Sequence, residues 1–331
     1  MERDLTKKAV LWVVVPCYNE EEVLSVTADL FLGEIMELID KNKIDGESRI
    51  LFVNDGSKDS TWDVIVNLSK RDVHYIGVSQ SRNRGHQNAV LAGLMVAKEK
   101  KADITVSIDC DGQDDICAIE KMVDKFYEGC DVVYGVRSDR ETDTLFKKIT
   151  AETFYKLLRG LGAEIVFNHA DYRMLSYRML CELSRYREVN LFLRGLVPLI
   201  GFKSGYVYYS RKKRIAGESH YPLKKMLSFA FDGITSLSIR PLHMIFGLGV
   251  VMSGLGMAGV VWTMIVAMTG KYRLGWDCII YMLCFIGGMQ LTCMGLLGEY
   301  IGKIYLEVKD RPRYIISDYT WEEGIHYNNQ E

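Results

Sequence analysis

Asp109 and Asp111 stand two residues apart in the segment DCDGQ, just after a short apolar run, Ile104–Ile108. Carboxylates at that spacing, leaving a strand, can project to one side. Hard oxygen ligands of this kind suit Mg²⁺ or Mn²⁺, which keep coordination positions for water and for substrate phosphates. Such an ion would grip a nucleotide diphosphate and neutralise its charge as it departs. An acid-x-acid pair alone is a weak signal. Here two further acids, Glu20 and Asp55, also follow apolar runs. Asp114 and Asp115 read as solvated or helix-N-terminal charges rather than further ligands.

These acids need a frame that brings them to one edge. Strand-like and helix-like patterns alternate through Val10–Val15, Glu21–Asn42, Ile50–Val53, Ser60–Lys70, Tyr75–Val78, Gln87–Lys98, Ile104–Ile108, Ile119–Tyr127 and Asp131–Tyr134. Repeated βα units predict an α/β domain with a mostly parallel, Rossmann-like sheet covered by helices. Ligands in such sheets sit beyond the carboxyl ends of the strands, where all these acids fall. After the first strand stands PCYNEEE rather than a glycine-rich dinucleotide loop, and no GxxxxGK[ST] occurs. Hydride transfer and P-loop chemistry both lose ground.

The rest of the chain has a different solvent. Pro241–Gly270 and Cys278–Gly298 contain no formal charge, and only KYRLGWD (Lys271–Asp277) separates them. At 1.5 Å per residue the second run would cover about 31 Å, against a hydrocarbon core of about 30 Å. Two transmembrane helices, at about 241–269 and 277–299, are expected. Basic residues flank their outer ends, including Arg240, Lys303, Lys309, Arg311 and Arg313. The positive-inside rule then puts both termini and the catalytic domain on the cytoplasmic side of the cell membrane. Tyr221–Ser238 presents Leu223, Met226, Leu227, Ala230, Ile234 and Leu237 on one helical face. A core-facing helix would show the same stripe, but its nearness to the apolar runs favours a helix in the headgroup layer. The expected organisation is a catalytic domain over 1–220, an interfacial helix over 221–240, the hairpin over 241–303 and a cytoplasmic tail over 304–331. Glycines 247, 249, 254, 256 and 259 would let helices pack closely, and a homo-oligomer is expected.

Over all 331 residues, 41 Lys+Arg face 43 Asp+Glu, for a net charge of −2. That near-balance argues against a nucleic-acid binder, which would usually be strongly basic. The 8 cysteines form no CxxC pair, so reduced thiols are expected rather than a disulfide framework or a zinc site.

Taken together, VVVPCYNEEE (13–22), FVNDGSKDST (52–61), SRNRGHQNAVLAGL (81–94), DCDGQDD (109–115), YGVRSDR (134–140), RKKRIAGESHYPL (211–223) and GEYIGKIYLEVKDRPRYII (298–316) resemble glycosyltransferase family 2. The resemblance is to the group that moves a hexose onto a polyisoprenyl phosphate, and it covers almost the whole chain. It implies a GT-A fold and an inverting, metal-dependent transfer from a nucleotide sugar, UDP-glucose or a related UDP-hexose, to undecaprenyl phosphate. Asp55 and the loop of Pro16, Tyr18 and Glu20 would then hold base and ribose, with Arg82 also on the nucleotide sugar. Asp109, Asp111 and Gln113 would organise the metal and the diphosphate. Arg137 and Arg140, with Lys147 and Lys148, match positions facing the lipid phosphate, and Arg211 and Arg214 would close over the donor pyrophosphate. Gly112 and Asp114 depart from a more usual Leu-Gln-Asp-Pro pattern, and Ala170 stands where glycine is common.

The chemistry is consistent with that reading. A phosphate monoester, with a second pKa of about 6, is largely dianionic at neutral pH and can attack an anomeric carbon without a strong protein base. The enzyme must supply cations that hold two mutually repelling phosphates, and arginine suits bidentate phosphate contacts. RKKR (211–214) would equally serve as a basic cluster touching lipid headgroups. His86, His169 and His220 show no triad or metal spacing and read as structural or loop histidines. Two alternatives stand beside the transferase: a processive polysaccharide synthase, which would need a QxxRW element absent here, and a non-catalytic membrane scaffold.

Overall fold

The computed structural model describes residues 7–138, 169–189, 191–210 and 276–321, with isolated positions between 242 and 268. The chain divides into two compact units: Met1–Thr153 with Ile165–Tyr221 and Pro312–Glu331, and Phe154–Glu164 with Pro222–Arg311.

The first unit is built on an eight-stranded sheet. Apolar runs form its centre: β1 (Leu11–Cys17) is buried along its whole length, β2 (Arg49–Asn54) nearly so, and β3 (Tyr75–Gln80) and β4 (Ile104–Ser107) follow. Runs buried on both faces are what parallel strands covered by helices require. The covering helices are α1 (Glu21–Asp40), α2 (Thr61–Arg71), α3 (His86–Glu99) and α4 (Ala118–Tyr127). Helix α1 buries Val23, Leu24, Thr27, Ala28, Phe31, Ile35 and Leu38, the stripe of an amphipathic helix. Helix α3 is buried from Ala89 to Ala97. At Gly93 a β-carbon would run into Val14 and Val53, so glycine lets this helix lie against the sheet.

Strands β5 (Val132–Arg137), β6 (His169–Ser176) and β7 (Ser204–Tyr209) extend one side, with α5 (Tyr177–Leu183) and α6 (Leu193–Ile200) between the last two. The order is β7-β5-β6-β4-β1-β2-β3-β8. Pairs β1/β2, β1/β4, β2/β3 and β5/β7 are parallel, whereas β6 runs antiparallel to both β4 and β5. This mostly parallel mixed sheet is the GT-A-like α/β arrangement, and the alternation read from residues 10–134 matches it element by element.

One strand comes from a place the sequence left as tail. β8 (Ile316–Tyr319) returns to the open edge of β3 and pairs antiparallel with it. Thr320 continues the contact: its Oγ1 accepts from the Gly77 N–H at 2.9 Å, and its own N–H donates to the Gly77 carbonyl at 3.0 Å. The described residues 312–321 therefore group with this sheet.

In the second unit, α7 (Trp276–Val308) runs for 33 residues, and the described positions between 242 and 268 are helical. Among the described residues, no helix is long and apolar enough to cross a membrane. The spans expected at about 241–269 and 277–299 fall largely on positions whose side chains lie outside the described residues. Where its side chains are described, α7 carries Gln290 and Thr292 within the uncharged run, and Glu299, Lys303 and Glu307 follow it. The interfacial helix expected at 221–240 lies outside the described residues, as does most of the first apolar run. Among the described cysteines, Cys17, Cys110, Cys117, Cys130, Cys181 and Cys293 are all free thiols.

Candidate active site

The carboxyl ends of β1, β2 and β4 deliver the acids to one edge of the sheet. Asp55 leaves β2 fully buried, and both its oxygens are taken by backbone: Oδ1 accepts from Arg84 N–H at 2.8 Å and Oδ2 from Gly85 N–H at 2.9 Å. Burial pushes its carboxyl upward, and these two bonds oppose the shift. Asp55 thus shapes the Arg82–Gly85 loop. Gly56, at φ +62°, lies so close that a β-carbon there would sit 2.5 Å from the backbone of Arg82 and Asn83. The loop after β1 is laced to the same region. Asn19 N–H donates to Ser57 Oγ at 3.0 Å and Glu20 N–H to Thr61 Oγ1 at 2.9 Å. Pro16 is buried, while Tyr18 and Arg82 are exposed toward solvent.

Beyond β4, Gly112 takes φ +66°, a left-handed turn that reverses the chain between the acids and Gln113. Asp111 is buried, and its Oδ1 accepts the Gln113 N–H at 3.1 Å. Asp109 sits in a recess, surrounded by protein yet with 35% of its side chain accessible. Burial pushes its carboxyl up, His86 draws it down, and Asp171, Asp114 and Asp111 push it up again.

Residues that the motif reading set aside complete the site. His86, at the start of α3, lies with Nε2 3.6 Å from Asp109 and 3.4 Å from Asp171. Asp171 on β6 accepts Arg194 through both oxygens, at 3.0 Å from Nε and 3.0 Å from Nη2, and Arg173 Nη2 at 2.7 Å. Burial alone would push Asp171 up, but His86, Arg194 and Arg173 outweigh it and hold the group well below the usual carboxylate range. Arg173 is fully buried and also donates to the Leu193 carbonyl at 3.0 Å, tying β6 to α6. Gln87 Oε1 accepts the Leu193 N–H at 2.9 Å, so α3 and α6 share an anchor. His86 and Arg194 converge from different helices on an acid from a third element, which linear spacing cannot show.

Arg137, at the end of β5, is brought to Asp114, with 3.4 Å between Nη2 and Oδ1. Asp114 is buried and accepts the Tyr209 hydroxyl at 2.8 Å, which corrects its reading as a solvated charge. Its partners come from the ends of β5 and β7, far from it in sequence. Arg140, Lys147, Lys148, Arg211 and Arg214 lie outside the described residues.

Among the described residues, no group of three or more His, Cys, Asp or Glu side chains is arranged to hold a metal ion. Two carboxylates, one buried and one in an open recess, fit an ion that takes one or two protein oxygens and completes its shell with substrate phosphate and water.

Residues 12–183 match the model of glycosyl transferase family 2. The chain belongs to this family. It is an enzyme of the glycosyltransferase class. Its sequence is 49% identical to an uncharacterized glycosyltransferase, YkoT, of Bacillus subtilis, covering 96% of this chain and 94% of that one. It is 37% identical to a prophage-derived bactoprenol glucosyl transferase of Shigella flexneri, covering 92% and 96%. Among solved structures, glucosyl-3-phosphoglycerate synthase of Mycobacterium tuberculosis is similar at TM-score 0.44 and 19% identity, over 70% of this chain and 80% of that one.

Proposed function

We propose that this glycosyltransferase moves a hexose from a nucleotide sugar to a membrane-held polyisoprenyl phosphate, giving a lipid-phosphate sugar by an inverting displacement. The observation that carries this reading is the acidic recess of Asp109 and Asp111 with Arg137 and Arg194 on its flanks, in a chain 37% identical to a bactoprenol glucosyl transferase along 92% of its length. UDP-glucose or a related UDP-hexose is the proposed donor and undecaprenyl phosphate the proposed acceptor.

Asp109 and Asp111, with Gln113, would hold Mg²⁺ or Mn²⁺, which when bound supplies charge neutralisation for the leaving diphosphate. The chain's own residues do the remaining work. The Asp55-braced loop and Tyr18 border the nucleotide, and Arg137 meets the acceptor phosphate. An acceptor dianion needs no strong base, so catalysis is positioning and charge compensation. Arg140, Lys147, Lys148, Arg211 and Arg214 are proposed to add cations around the two phosphates.

The acceptor's lipid requires the enzyme to work at a bilayer. Ile279, Leu283, Ile286, Leu291, Met294, Leu297, Ile301 and Ile304 of α7 are exposed, a density of apolar side chains unusual for a water-facing helix. The segment 241–303 is proposed to hold the enzyme on the cell membrane, with the catalytic domain on the cytoplasmic side.

The test is a donor screen. Purified full-length enzyme is incubated with UDP-hexoses, Mg²⁺ or Mn²⁺ and undecaprenyl phosphate, and lipid products are read by mass spectrometry. A hexosyl-phosphoryl lipid supports the reading. Folded enzyme that makes none with any donor overturns it.

A further inference from the structure

We propose that Asp114 and Tyr209 are positioning residues for Arg137, holding its guanidinium at the outer side of the acidic recess so that it meets the acceptor phosphate rather than the metal-binding acids. The inference deepens the proposed function and rests on it.

The sheet register sets up the arrangement. β5 and β7 are parallel with Arg137 opposite Tyr209, so the two side chains lie on the same face. Tyr209 donates its hydroxyl to Asp114 Oδ1 at 2.8 Å, and the same oxygen lies 3.4 Å from Arg137 Nη2. Arg137 Nε is in turn 3.4 Å from the Tyr209 hydroxyl. Both contacts fall on the Nε–Nη2 edge of the guanidinium. A planar fork offers a second edge, and that edge is the one a phosphate can take.

The anchor is rigid and the arm is accessible: 1% of the Asp114 side chain is exposed, against 31% of Arg137. Tyr172 backs Tyr209 edge-on at 5.2 Å and donates its own hydroxyl to the Asp115 carbonyl at 3.0 Å. Two tyrosines from the strands on either side of β5 thus clamp the loop that follows Asp109 and Asp111. Arg137 also feels the charge of Asp109. Asp114 gives the guanidinium a buried, fixed anion in addition to the charge of Asp109.

The test uses full-length enzyme with undecaprenyl phosphate and the active UDP-hexose, comparing wild type, Arg137→Lys, Asp114→Asn, Tyr209→Phe and Arg137→Lys/Asp114→Asn. Losing one charge-assisted contact should raise the acceptor KM of Asp114→Asn about tenfold or more, leaving the donor KM within about twofold. Tyr209→Phe should move in the same direction by less. The double variant should be no worse than Arg137→Lys alone, because Asp114 acts through Arg137. An acceptor KM raised by Arg137→Lys but not by Asp114→Asn or Tyr209→Phe overturns the inference alone. So does full additivity in the double variant. Loss of Mn²⁺ binding by Asp114→Asn without substrates, read by electron paramagnetic resonance, would make Asp114 a ligand and overturns it too. An acceptor KM unmoved by Arg137→Lys overturns both the inference and the underlying role of Arg137. Should Asp114→Asn fail to fold, Tyr209→Phe, which keeps the ring and loses only the hydroxyl, decides by the same KM comparison.

Discussion

Arg194 grips Asp171 with a two-point fork, Nε on Oδ1 and Nη2 on Oδ2, each at 3.0 Å. The acid sits on β6 and the base on α6, so the pair fastens a helix to the sheet beside the recess of Asp109. The same carboxylate carries Arg173, which is fully buried. Asp171→Asn should therefore strand a buried guanidinium. The expected loss is about 3–5 kcal/mol of unfolding free energy, checked by urea denaturation. Arg194→Lys keeps the charge and loses the fork, and should cost less than Asp171→Asn in the same measurement.

Asp111→Ala should abolish turnover by about a hundredfold or more while the circular dichroism spectrum stays native. Mn²⁺ binding, followed by electron paramagnetic resonance, should weaken in parallel. Full activity in this variant would remove the acidic pair from the mechanism.

Glu34 is buried on α1, and burial raises its pKa from 4.5 to about 7, with Cys117 opposing the shift. The folded chain thus holds a proton there that the unfolded chain releases near pH 4.5. Stability from this group is present below that pH, declines as pH rises through about 7, and is fully lost above it. Glu34→Gln should therefore stabilise the protein at pH 8 by roughly 1–3 kcal/mol and have little effect near pH 4. Thermal melts of both proteins across that range check the sign.

Ending the chain after Arg311 should uncover the edge of β3. Gly77 N–H then loses Thr320 Oγ1, and Ser81 N–H loses the Ile315 carbonyl, a bond of 2.9 Å. Amide hydrogen exchange at Gly77 and Ser81 should accelerate sharply, and the melting temperature should fall by several degrees, about what 1–2 kcal/mol gives in a domain of this size. Unchanged protection at both amides would show the return strand to be dispensable. A bare strand edge also invites pairing with other chains, so light scattering should rise on heating.

Local pattern made much of the fold legible. Continuous apolar runs such as Leu11–Cys17 have one stable environment in water, a strand covered on both faces. The stripe from Val23 to Leu38 has one stable partner, a sheet. What escaped was long-range. β8 is four residues long with mixed exposure, and nothing in its composition says that it closes the edge of a strand formed by Tyr75–Gln80. The acidic edge was legible because Asp55, Asp109 and Asp111 each follow an apolar run. His86 and Asp114 were not, since their partners come from β6, α6 and β7.

The sequence by itself determined the strand-and-helix order, the acids at the strand ends and the family. Each is written in residues close together along the chain, where periodicity and spacing act directly. Only the tertiary structure decided which charges meet. Asp171 joins Arg194 and His86, and Asp114 joins Tyr209 and Arg137, because the register of β5, β6 and β7 sets those side chains within hydrogen-bond reach. A pair's strength depends on that distance and on how much water is excluded around it, and neither is written in the order of the residues.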